Sequence, residues 1–116
     1  MKKHLVWIGS SKRDLLGMPV ALRKDFGVAL YLAQQGLTPH GAKLLKGKVA
    51  GAIQLSEDLR GDTYRAVYTV ELAGAIYVLH CFQKKSKQGV ETPKADLDLI
   101  ETRLKAARLL HGAGKG

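Results

Sequence analysis

At 116 residues, with 46% hydrophobic and 25% charged content, the chain has the size and balance of one folded domain and is too short for two cores. Its first apolar run, Leu5 to Ile8, is far shorter than a signal-peptide core or a membrane span, so a cytoplasmic protein with no membrane partner is expected. Nineteen Lys and Arg against ten Asp and Glu give a net charge of +9, which favours a polyanion such as nucleic acid, although a basic face that docks an acidic protein would show the same balance.

Leu5-Val6-Trp7-Ile8 is a short β-prone run ended by Gly9 and predicts a first strand. Ser11 with Asp14 three positions on resembles a capping box and predicts a short helix, interrupted at Gly17-Met18-Pro19. From Pro19 onward Leu22, Phe26, Ala29, Leu30 and Ala33 make a one-sided stripe, predicting a second helix that ends at Gln35 before Gly36. Leu37 to Gly51, with Pro39, three glycines and Lys43, Lys46 and Lys48, reads as a basic loop.

Three β-prone runs follow, Ala52 to Leu59, Thr63 to Leu72 and Ala75 to Lys84, separated by Arg60-Gly61-Asp62 and Ala73-Gly74; they predict an antiparallel meander. Thr92 and Pro93 then suit an N-cap and first helical position. In the helix beyond, Leu97, Ile100, Leu104 and Ala107 form the apolar stripe, with acids early and bases late as the helix dipole prefers. The fold class expected is mixed α/β (α+β), with one domain over 1–110 and a flexible tail over 111–116.

A two-residue turn at Ala73-Gly74 would set Arg65 opposite Phe82, Val67 opposite His80 and Thr63 opposite Lys84. Arg65, His80 and Lys84 then share one face, and the same count around Arg60-Gly61 adds Gln54, Ser56 and Asp58 to it. Tyr64, Ala66, Tyr68, Val70, Tyr77, Leu79 and Cys81 fall on the other face, with Ile53 and Leu55. That apolar face is expected to meet the helices, leaving the polar one open to a ligand. A bulge or a three-residue turn would invert the assignment of the last strand.

The single cysteine, Cys81, sits inside an apolar run and reads as a core residue; it allows no internal disulfide. His4, His40, His80 and His111 have no close ligand partners in the sequence, and the glycines make no phosphate-loop pattern, so neither a metal nor a cofactor is expected.

The succession Gly61-Asp62-Thr63-Tyr64-Arg65-Ala66-Val67-Tyr68, then Tyr77-Val78-Leu79-His80-Cys81-Phe82-Gln83-Lys84-Lys85-Ser86-Lys87, then Thr92-Pro93-Lys94 resembles the RelE-type toxins, particularly their HigB-like branch with its phage-derived relatives. The resemblance implies a strand and two helices followed by a meander and a C-terminal helix. It also implies a toxin of a type II toxin-antitoxin system that cleaves messenger RNA on the ribosome, without a metal, using the ribose 2′-hydroxyl as nucleophile. The implied partners are the ribosome, messenger RNA and an antitoxin encoded nearby that carries a helix-turn-helix domain. Some relatives in the superfamily instead poison DNA gyrase, and a plain nucleic-acid-binding module is a third reading.

Metal-free RNA cleavage needs a base for the 2′-hydroxyl, positive charge at the phosphate and a proton for the departing 5′-oxygen. Arg65 suits the phosphate, as a planar fork of donors; its structural alternative is a strand arginine paired with Glu71 or Asp58. His80 suits acid or base work near neutral pH, or else is a satisfied core residue. Lys84 completes the expected catalytic set, and Lys46, Lys48, Lys85 and Lys87 are candidates to hold the RNA backbone. Tyr64, Tyr68 and Tyr77, all on the deduced core side, are expected to pack rather than to stack a base.

Overall fold

The structure is a computed structural model that describes residues 2–84 and 91–114. Strand β1 (His4–Trp7) leads into helices α1 (Ser11–Leu16) and α2 (Val20–Gln34). Short strand β2 (Lys43–Leu44) and a single 3₁₀ turn at Gly47–Val49 then precede β3 (Ala52–Leu59), β4 (Asp62–Thr69), β5 (Ala75–Lys84) and helix α3 (Lys94–Gly114). The five strands order β1-β5-β4-β3-β2, with β1 parallel to β5 and the other pairs antiparallel. The mixed α+β class and the predicted meander are thus present.

Local chemistry explains most boundaries. Arg60 and Gly61 both take positive φ, 52° and 85°, the two-residue reversal whose twist matches a hairpin, so Leu59 pairs with Asp62 as counted. The first helix begins at the residue predicted as its cap: Ser10 takes the cap position without a side-chain cap bond, and its hydroxyl donates to Asp14 Oδ2 at 2.6 Å. Ser11 is drawn into the fold instead, donating to the Val78 carbonyl. The basic loop is more ordered than predicted, since Lys43 and Leu44 add an edge strand to β3. Helix α3 runs to Gly114, and His111, where the sequence predicts a tail, meets the Tyr77 hydroxyl at 2.9 Å.

The sheet is covered on both sides, which corrects the expectation of one open polar face. On one side Leu15 of α1, Met18 of the connection, and Leu22, Phe26, Leu30 and Ala33 of α2 pack on Leu55, Ala66, Tyr68, Ile76, Val78 and Cys81. On the other, Ile100, Leu104 and Ala107 of α3 pack on Ala52, Val67, Tyr77 and Leu79. Tyr77 and Leu79 therefore lie on the α3 face, opposite to their predicted side.

The physical reason is a pair of departures from the simple hairpin that cancel each other. Next to the turn the pairing is one residue out of the predicted count, with Tyr68 facing Val78 and Thr69 facing Tyr77. A bulge at Leu79 then restores the count, so that Val67 faces His80, Arg65 faces Phe82 and Thr63 faces Lys84 as the sequence predicts. The shifted half of β5 gives α3 an apolar seat on a face that alternation alone would have made polar.

Candidate functional site

Beyond the bulge, Arg65, His80 and Lys84 do come together on one face of β4 and β5. They are enclosed there rather than displayed: relative exposures are 4%, 6% and 8%, with Thr92, just before α3, against Arg65 and Asp96 of α3 against His80. Arg65 donates through Nη1 to the Thr92 hydroxyl at 3.1 Å, and that hydroxyl donates to Gln54 Oε1 at 2.7 Å. Thr92 is thus used to tie the helix approach to β3 and β4. Burial lowers the pKa of the Arg65 guanidinium, while Asp96 and Asp58 raise it.

His80 is held by a residue of α3. Its Nε2 lies 2.8 Å from Asp96 Oδ1, and its ring stacks on Phe82 with centroids 4.4 Å apart and planes within 13°. With Asp96 ionised, Nε2 carries the proton and donates it to the carboxylate. Nδ1 is buried and has no hydrogen-bond partner among the described residues. The carboxylate is the more open member of the pair, with 25% of its side chain exposed against 8% for His80. Proton exchange with a bound molecule would therefore run through Asp96, with the imidazole behind it.

This pair opens onto a groove of about 780 Å³ that runs between α1 and the start of α3, along the half of β5 that extends past β1. Its wall includes Arg13, Tyr64, Gln83 and Pro93 beside His80 and Asp96. The Arg13 side chain is 84% exposed and its Nε lies 4.0 Å from Asp14 Oδ1, a carboxylate that also borders the groove, so the outer edge of the guanidinium faces solvent while Asp14 partly offsets its charge. Tyr64, predicted to pack, does lean on the α1 and α2 core but is only partly buried and also borders the groove. Cys81 lines the groove as well; burial pushes its thiol up to about 12, so it is a packed thiol and not a nucleophile.

The lysines are divided. Lys46 and Lys43 border a second hollow, of about 330 Å³, on the β2 side of Glu91 and Thr92. Lys48 is engaged by Asp98 of α3, and that hydrogen bond raises the lysine's pKa and lowers the carboxylate's. Lys85 and Lys87 lie outside the described residues. The structure sets Arg65, His80 and Lys84 on one face, as the hairpin count predicts, and brings Asp96, Arg13 and Tyr64, which that count does not single out, to the groove beside His80. In the sequence Asp96 is an acid of a first helical turn that suits the helix dipole, and only the contact across to β5 gives it another use.

One further residue shapes the site from behind. Arg103 of α3 donates through Nη1 to the Leu79 carbonyl at 2.9 Å and through Nη2 to the Ser10 hydroxyl at 3.0 Å. It satisfies the carbonyl of the bulge immediately before His80 and joins α1, β5 and α3 at one point.

Residues 13–105 match the family described as phage-derived protein Gp49-like. The chain belongs to the Gp49-like family. Among solved structures, a chain of the toxin-antitoxin complex RelBE2 from Mycobacterium tuberculosis is similar at 18% identity, with a TM-score of 0.45 and coverage of 74% of this chain and 95% of that one. No curated protein matches this chain. The span of the Gp49-like match takes in α1 from Arg13 onward, the meander, the His80–Asp96 pair and Arg103, so every residue of the groove discussed above falls inside it.

Proposed function

We propose that this Gp49-like protein is the toxin of a type II toxin-antitoxin system, of the HigB-like kind, and that it cleaves messenger RNA on the ribosome without a metal. The observation that carries the reading is the His80–Asp96 pair, set in the wall of a groove on a strongly basic protein. A single RNA strand lies along the groove. Asp96, backed by the His80 imidazole, takes the proton from a ribose 2′-hydroxyl. The 2′-oxygen attacks the adjacent phosphorus, a 2′,3′-cyclic phosphate forms, and the bond to the 5′-oxygen breaks, that oxygen taking a proton from water.

Arg13 meets the phosphate at the groove wall, and Tyr64 offers a ring edge to a base. Arg65 and Lys84, both buried, act by their charge, and Arg65 also by holding Thr92 at the approach to α3, rather than by touching the substrate. Lys46 and, once it leaves Asp98, Lys48 hold the backbone further along, as do Lys85 and Lys87. The partners on this reading are the ribosome, messenger RNA and a helix-turn-helix antitoxin.

The test is expression in growing cells with messenger ends mapped by sequencing. Growth arrest with new internal ends, abolished in His80→Ala and Asp96→Asn proteins that remain folded, is the expected result. Arrest with intact messengers and damaged DNA would instead identify a gyrase poison, and absence of arrest would leave only a nucleic-acid-binding module.

A further inference from the structure

Helix α2 is not built like a solvent-facing helix. Leu22, Phe26, Leu30 and Ala33 fill the core from one side, yet the opposite side carries Val20, Val28 and Tyr31 at 60%, 60% and 52% exposure. At about 100° per residue, Val20, Lys24, Gly27, Val28 and Tyr31 fall in one stripe. From Phe26 to its end at Gln34 the helix has no charged residue, in a chain of net charge +9. Over that span the helix is uncharged on its outward side as well as its inward one, the pattern of a helix covered on both.

Gly27 adds an independent observation. A Cβ built there would meet nothing within 4 Å, so the chain itself does not require a glycine. In a helix interior glycine costs about 1 kcal/mol relative to alanine. What a missing side chain does permit is close approach by another backbone from outside.

The charges on the stripe indicate what approaches. Lys24 lies within it, Lys2 holds its ammonium 5.4 Å from the centre of the Tyr31 ring, and the only acid of the helix, Asp25, sits off the edge. A second copy of this chain would set lysine against lysine and +9 against +9. We infer that the outward stripe of α2 docks a helix of a different protein, apolar along one side and carrying carboxylates that meet Lys24 and Lys2. On the toxin reading, on which this assignment of the partner rests, that protein is the antitoxin.

The experiment co-expresses the full chain with the product of the adjacent gene and measures the affinity of the purified pair by calorimetry. The two variants are Tyr31→Lys and Gly27→Ala, with RNA cleavage by the free chain as a control that neither alters the groove. Expected are a loss of at least tenfold in affinity for each, unchanged cleavage, and a higher melting temperature for free Gly27→Ala. Equal affinity of wild type and both variants overturns the docking surface while leaving the toxin reading intact. A wild-type chain that cleaves messengers but does not bind the neighbour overturns the partner. A wild-type chain that dimerises, with Tyr31→Lys monomeric, makes the stripe a self-association face and overturns the acidic partner. A lower melting temperature for Gly27→Ala removes the argument from the glycine.

Discussion

The side of the sheet under α1 and α2 and the side under α3 are packed from the same strands but on different terms. Under α1 and α2 the layer is apolar from Leu55 to Cys81 apart from Ser11, whose hydroxyl is spent on the Val78 carbonyl, and Phe26 and Leu30 are each 1% exposed. Under α3 an apolar half around Val67, Leu79 and Ile100 gives way to a polar half in which Gln54, Arg65, His80 and Lys84 are all buried. Burying such groups gains little stability even when they are bonded, and apolar residues of similar size would serve a core better. The first layer therefore reads as what holds the fold, and the polar half of the second as what the fold is for.

Four substitutions or titrations would break or sharpen that contrast. Phe26→Ala, in the apolar layer, is expected to cost about 3–5 kcal/mol of unfolding free energy in a denaturant titration, with cleavage per folded molecule unchanged. Asp96→Asn, at the polar end, should do the reverse: near wild-type stability but cleavage down about 100-fold, about 2.7 kcal/mol in the barrier, measured as a single-turnover rate. If Asp96→Asn cleaves at the wild-type rate, the pair is structural and the contrast between the layers loses its functional half.

Arg103→Ala lies between the two cases. It leaves the bulge carbonyl of Leu79 and the Ser10 hydroxyl without their donor, so a loss of about 1–3 kcal/mol is expected, together with a lower cleavage rate because His80 follows the bulge. Arg103→Lys should recover stability more fully than rate, since one ammonium cannot span both acceptors in the arginine geometry.

The remaining effect is alkaline and is confined to high pH. Cys81 and Tyr68 are raised by burial to about 12 each from ordinary values of 9.0 and 10.0, so between those limits the folded chain holds protons that the unfolded one releases. Stability from both groups is complete below pH 9 and is lost as the pH climbs toward 12. Melting temperature should fall across that window, and Cys81→Ala should flatten the slope that begins near pH 9.

Much of this arrangement was legible in the residues. The strands Ala52–Leu59 and Ala75–Lys84 were bounded as observed, because Gly and charged residues punctuate runs of β-branched and aromatic side chains. The α3 stripe of Ile100, Leu104 and Ala107 was likewise plain. The shared face of Arg65, His80 and Lys84 was also reached, although through a turn count that the structure does not follow near Tyr77. Periodicity cannot show a bulge and a longer turn that compensate for each other, and so it could not show that α3 would find an apolar seat over Tyr77 and Leu79. For the same reason the polar face was expected to be open.

Asp96 was hidden differently. Its contact with His80 crosses from a helix to a strand, and nothing within either element marks it. Tyr64 was assigned to the core by parity, which is correct as far as direction goes; that its ring also borders a groove depends on how far α1 stands from β5.

The parallel pairing of β1 with β5, from His4 opposite Ala75 to Trp7 opposite Val78, has a temporal consequence. The hairpins β3-β4 and β4-β5 join neighbours in sequence and can form early, whereas β1 must keep until the far end of the sheet exists. Helix α1, which follows β1 directly and forms one wall of the groove, is placed against β5 only when that last strand docks. A chain emerging from synthesis is accordingly without its groove until β5 and the α3 start have both been made.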